Sequence, residues 1–222
     1  ANDEHAEALK YFEQNLIVAR QIGDRVMEGI SLNNIGCVKL YNHEYLLSEQ
    51  YIHQAMQITR ATGNRQDEGI TTHMLAYSQL AAGNLQQAKK SLENALAMLQ
   101  GVEDRSGQSY IYGDLGLISL FEGHYHSAKN YCEQSLSLAN EIGLKDVLIG
   151  TLVTYGKVLA RLDETEAATT ALEEAVKLQS ELSKHFLLVE PYAELARIEL
   201  NNHRLPEALA RVEVILQKLE VA

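Results

Sequence analysis

Leu32-Asn33-Asn34-Ile35-Gly36, followed by Tyr45-Leu46-Leu47-Ser48, is the stretch that decides the fold. Its small residues return at a fixed spacing. Gly36, Ala76, Gly116, Gly156 and Ala196 form one register, and Ala8, Ser48, Ala88, Ala128, Ala168 and Ala208 form a second, each advancing by 40 residues. The residue before each member of the first register is apolar: Ile35, Leu75, Leu115, Tyr155, Leu195. Four residues beyond the second register stand Phe12, Ile52, Leu92, Cys132, Leu172 and Val212. A Gly or Ala at a helix crossing lets two backbones approach, and larger residues three or four positions away fill the grooves beside it. A period of this length marks a stacked array of helical hairpins.

The punctuation agrees. Gly23-Asp24-Arg25, Gly63-Asn64-Arg65, Glu103-Asp104-Arg105, Gly143-Leu144-Lys145 and Ser183-Lys184-His185 separate one hairpin from the next. Glycine can take the left-handed conformation that stops a helix, and Asp or Asn can cap the one that follows. Within each hairpin a shorter turn falls at Asn42-His43, Gly83-Asn84, Gly123-His124, Asp163-Glu164 or Asn202-His203. Pro206 sits in the first turn of its helix, where a missing N–H costs nothing. Pro191 predicts a late start or a kink in the helix around it. The chain thus reads as a lone second helix over 1–24 and then hairpins over 25–64, 65–104, 105–144, 145–184 and 185–222. Because it opens mid-repeat, it reads as a segment of a longer protein, or as one whose first helix is not represented in it.

This pattern of small and large residues resembles the tetratricopeptide repeat, carried by Leu32-x-x-Ile35-Gly36 with Tyr45-x-x-Ser48 and by Tyr112-x-x-Leu115-Gly116 with Tyr125-x-x-Ala128. The resemblance implies an all-α, right-handed superhelix of antiparallel helix pairs, about five and a half repeats in one elongated domain. The units depart from the standard one, which is about 34 residues long and ends in Pro. Units of 40 with an Ala19-Arg20-Gln21-Ile22-Gly23-Asp24-Arg25 style of turn are similar to those of large bacterial signalling proteins. That likeness implies a regulatory or sensing arm joined to an effector domain.

Composition narrows the partners. A net charge of −11 over 222 residues argues against a nucleic-acid surface, which needs a basic face. No apolar run reaches the roughly 20 residues that span a bilayer, and the first residues are unlike a secretory signal. A soluble cytoplasmic protein is expected. Cys37 and Cys132 fall in different repeats and on different kinds of helix, so both are expected to be buried packing residues without a disulfide or metal.

In tetratricopeptide arrays the first helices line a concave groove, which implies a protein or peptide partner there. The repeat frame turns Asn33, Asn34, Cys37, Tyr41, His73, Tyr77, Tyr110, Leu117 and Phe121 inward, then Lys157, Arg161 and Arg197. The groove so drawn is apolar and aromatic over its first three pairs and basic over its last two. One reading has a peptide packing on the aromatics and presenting a carboxylate to the cations. In the other, the aromatics fill gaps between first helices and the cations pair with acids such as Glu190 and Glu194. The carboxylate clamp of chaperone-binding members has no counterpart: the nearest residues are Asn33, Cys37, Met74, Tyr110 and Asp114. The asparagine ladder of other members has one rung, Asn33-Asn34.

Catalysis finds no support in the sequence. His124-x-His126 lies at a turn without further ligands at metal spacing, and His43-Glu44 lacks the second histidine of a zinc protease helix. The glycines are isolated helix stops, not a phosphate loop. No enzyme, metal or cofactor is expected. The function expected is a protein- or peptide-binding module. The alternatives are a self-assembly scaffold, in which the open ends near Phe12 and Leu219 stack on another copy, and a small-peptide receptor.

Overall fold

The computed structural model describes residues 2–181 and 189–220, with side chains placed for all of these except 2–4 and 218. Among them all regular structure is helical: α1 Asn2–Ile22, α2 Arg25–Tyr41, α3 Tyr45–Thr62, α4 Arg65–Ala81, α5 Leu85–Gly101, α6 Arg105–Phe121, α7 Tyr125–Ile142, α8 Lys145–Arg161, α9 Thr165–Glu181, α10 Glu190–Asn201 and α11 Leu205–Glu220. The starts of α2, α4, α6 and α8 fall 40 residues apart, as do those of α3, α5, α7, α9 and α11. The turn at Ser183-Lys184-His185 and the opening of the hairpin read from residue 185 lie outside the described residues. α10 begins at Glu190 with Pro191 in its first turn, the late start that proline requires.

Helix ends repeat with the same period. Positive φ occurs at Gly23, Gly63, Glu103 and Gly143 between hairpins, and at His43, Gly83, Gly123, Asp163 and His203 within them. After the first kind of turn, Asp24 Oδ1 accepts the Met27 N–H at 2.9 Å, Asn64 Oδ1 the Asp67 N–H at 3.2 Å, and Asp104 Oδ1 the Gly107 N–H at 2.9 Å. Each bond satisfies an amide that the first turn of a helix leaves without a partner. Leu144 holds the same place before α8 and makes no such bond.

The chain groups into two compact units, Ala1–Ile111 and Tyr112–Ala222. In the first unit consecutive helices pack together from α1 to α5, and α2 also touches α4. In the second the succession runs from α7 to α11, and α8 touches α10. The two sequence registers meet at the helix crossings. A Cβ on Gly36 would lie 2.8 Å from Ile52 and 3.3 Å from the Ser48 carbonyl. One on Gly116 would lie 2.8 Å from Cys132 Sγ, and one on Gly156 would lie 2.6 Å from Leu172 and 3.3 Å from the Ala168 carbonyl. Ser48, Ala88, Ala128 and Ala168 are fully buried, since any larger side chain there would hold the backbones apart.

A polar staple, absent from the sequence reading, ties hairpin to hairpin in the first unit. Glu28, only 7% exposed, receives Arg20 Nε at 2.9 Å from α1 and an Arg25 guanidinium nitrogen at 2.5 Å from its own helix. Glu68 repeats this with Arg60 at 3.0 Å and Arg65 at 3.2 Å. The carboxylate can be buried because both its oxygens are matched by charged donors. In the next repeat Gln100 and Gln108 stand at these places, and Gln108 Nε2 instead donates to the Leu99 carbonyl at 3.2 Å. The second unit uses more exposed struts between neighbouring repeats: Lys129 to Glu164 at 2.7 Å, Lys145 to Glu181 at 2.9 Å and Arg211 to Glu173 at 2.9 Å. Exposed pairs of this kind add little stability, because solvent screens them.

Candidate functional site

In the first unit, α2 carries Asn33, Asn34, Cys37 and Tyr41, and α4 carries His73 and Tyr77. Positions 33, 37 and 41 are four apart, as are 73 and 77, so each set forms a stripe along one helix face. The two helices touch. His73 and Tyr77 face each other with ring centroids 4.8 Å apart. His73 is buried, Tyr77 and Tyr110 are half-buried, and all three make further contacts within the chain. Tyr41, at the end of α2, is 67% exposed, and its ring meets that of His5 from α1 at 5.6 Å. The part played by His5 has no signal in the repeat frame, because α1 precedes the first complete pair. Asn33 and Asn34 are half-buried. Asn33 Oδ1 is closed off from solvent and accepts no hydrogen bond.

In the second unit the basic stretch is largely neutralised from within. Lys157 Nζ pairs with Glu190 Oε1, joining α8 to α10, and Arg197 Nε donates to Glu194 Oε2 at 2.8 Å. Arg161 is exposed and has no ion-pair partner among the described residues. One repeat earlier in the frame, Phe121 ends α6 and is 70% exposed; Leu117, a turn before it, is half-buried. The face therefore offers an aromatic ring and one unspent cation, with Lys157 and Arg197 already engaged.

The thiols are poorly suited to chemistry. Burial pushes Cys37 up to about 11 and Cys132 up to about 12, the charge of Glu133 adding to the second. The folded state thus holds these protons more tightly than the unfolded chain. Any stability this linkage contributes is present below pH 9 and is lost as pH rises through 11 and 12. At pH 8 the thiolate fraction of Cys37 is roughly a hundredfold below that of an ordinary cysteine. Ellman's reagent is therefore expected to label the native chain at least about 100-fold more slowly than the chain in denaturant. A fast equivalent of label on the native protein would contradict this. Among the described residues no group of three His, Cys, Asp or Glu side chains could hold a metal ion. His124 Nδ1 lies 3.3 Å from Glu122 at an exposed turn. No described helix is long and apolar enough to cross a membrane.

Residues 109–142, running from α6 through α7, match the family model of the tetratricopeptide repeat. That stretch carries a tetratricopeptide repeat. No curated protein matches it in sequence. Solved structures do match this repeat chain in fold. BtubC (BKLC) from P. vanneervenii superposes with a TM-score of 0.81 at 13% identity, covering 98% of this chain and 91% of that one. A Rap protein complexed with Competence and Sporulation Factor gives 0.78 at 13% identity, covering 98% and 61%. The apo quorum sensor NprR from B. thuringiensis gives 0.75 at 13% identity, covering 96% and 60%. At such identities the likeness establishes the fold, an all-α array of tetratricopeptide-like helix pairs, and no more.

Proposed function

We propose that this chain is a protein- or peptide-binding module that acts by recognition and not by catalysis, and that the face formed by α2 and α4 is its principal contact surface. The observation that carries the reading is the exposed ring of Tyr41, which ends a helix face where the buried Asn33 amide oxygen makes no hydrogen bond within the chain. An unmet buried acceptor costs free energy, which a partner's donor would recover where binding opens the face around it. Exposed aromatics are the residues from which binding energy most often comes. In the second unit, Phe121 with Arg161 forms a lesser contact of the same kind, and a carboxylate arriving there would have to compete with Glu190 and Glu194 for Lys157 and Arg197.

The fold likeness to a Rap protein bound to Competence and Sporulation Factor and to the quorum sensor NprR supports a finer reading by analogy. In it the chain is the sensing arm of a larger bacterial signalling protein in the cytoplasm. The unpaired thiols of Cys37 and Cys132 fit a reducing compartment.

The test starts from a displayed library of random 12-residue peptides selected on the chain. Asn33→Ala is expected to weaken the selected peptides about tenfold while leaving the melting temperature unchanged or raised, because it removes an acceptor the fold does not satisfy. Tyr41→Ala is expected to weaken them by a similar factor. If no peptide is selected, or if both variants bind as the parent does, the reading fails.

A further inference from the structure

We propose that two copies of this chain pair through α11. Along that helix Leu205, Leu209, Val212, Leu216 and Leu219 are all exposed. They are spaced four, three, four and three apart, the heptad spacing by which one helix seats against another of its kind. The flank of α11 beside this stripe is occupied within the chain: Ala208 is buried, and Arg211, Val214 and Ile215 are half-buried.

This seam is more than a repeat surface left without its neighbour. Positions 212 and 216 are apolar in each earlier hairpin, as Ile52 and Met56, Leu92 and Leu96, Cys132 and Leu136, and Leu172 and Val176. Position 209 is not. Its counterparts are Glu49, Lys89, Lys129 and Thr169, and α11 alone places leucine there, 54% exposed. That one change joins two apolar clusters into an unbroken stripe over the whole helix. Arg211, between Leu209 and Val212 in the chain, is held by Glu173 at 2.9 Å and Glu199 at 3.3 Å, so its charge is already matched within the chain. A partner must bring a stripe of matching spacing, and a second α11 does so under a two-fold axis, where one surface complements itself. Half of five large side chains is on the order of 400 Å² of apolar surface per copy. With the polar margins of a helix pair, the total reaches the roughly 1,000 Å² that a specific interface needs.

The experiment is sedimentation equilibrium of the chain between 1 and 100 µM, without added peptide. The parent is expected to pass from monomer to dimer across this range. Leu209→Lys is expected to weaken the dimer at least about tenfold. It should fold normally, since lysine occupies the same place in α5 and α7, and an unchanged circular dichroism melt would verify that. Leu46→Lys, which removes a still more exposed leucine (78%) elsewhere, is expected to leave the dimer intact. A parent that stays monomeric, a Leu209→Lys chain that pairs as the parent does, or a dimer lost in Leu46→Lys would each overturn the proposal. Because no peptide is present, none of these outcomes bears on recognition by α2 and α4.

Discussion

Gly156→Leu is expected to destabilise the chain by about 3 kcal/mol, the upper part of the usual range for forcing extra volume into a packed crossing. The cause is where the new atoms must go. A Cβ on Gly156 already meets Leu172 at 2.6 Å and the Ala168 carbonyl at 3.3 Å. The leucine tip can rotate away, but the carbonyl belongs to the hydrogen-bonded backbone of α9 and cannot. Gly156→Ala separates the two contributions. Alanine gains about 1 kcal/mol of helix propensity over glycine and loses more than that to the contact. It should therefore be destabilising on its own, and less so in a Leu172→Ala background. At Gly29 the nearest atom, a methyl of Ile58, is 3.2 Å away, so the same exchange should be close to neutral. Urea unfolding of these variants reads all of these values. A Gly156→Leu chain as stable as the parent would mean that α8 and α9 do not cross there.

Leu99→Ala is expected to cost about 4 kcal/mol, near the top of the range for deleting a buried leucine. Leu99 is fully buried and acts as a wedge between two glycines. A Cβ on Gly69 of α4 would meet its Cδ2 at 2.6 Å, and one on Gly107 of α6 would press on its other methyl. Such a void collapses poorly, because the walls on two sides have no side chains that could turn into it. Adding Gly69→Ala to Leu99→Ala should recover part of the loss by filling the space, although Gly69→Ala alone should be harmful. Two single losses that simply add, measured as a double-mutant cycle, would show that Leu99 does not occupy the slot.

Much of the fold was legible in the chain itself. Helix stops at 23, 63 and 143 follow from glycine, and caps at 24, 64 and 104 from Asp and Asn, because these choices are decided within a few residues. Glu103 shows the margin of that rule: it takes the positive φ of the glycine it replaces, imposed by the repeat around it. The staples at Glu28 and Glu68 also had a signal, the recurrence of Arg20 and Arg60 eight residues before them. Spacing could not say that both arginines at each site converge on one buried carboxylate.

The candidate site was less legible, because partners decide it. Sequence periodicity alone put Asn33, Cys37 and Tyr41 on one stripe and Lys157 and Arg161 on another, since helical geometry converts spacing into a shared face, and the 40-residue frame put Arg197 at the place of Lys157 one repeat on. Tertiary structure decided which of those groups are already spent. Lys157 meets an acid 33 residues away, Arg197 meets one three residues away, and Asn33 meets none. Those outcomes depend on the direction and reach of individual side chains across packed helices. The periodicity itself is a property of the backbone, and local rules are enough to produce it.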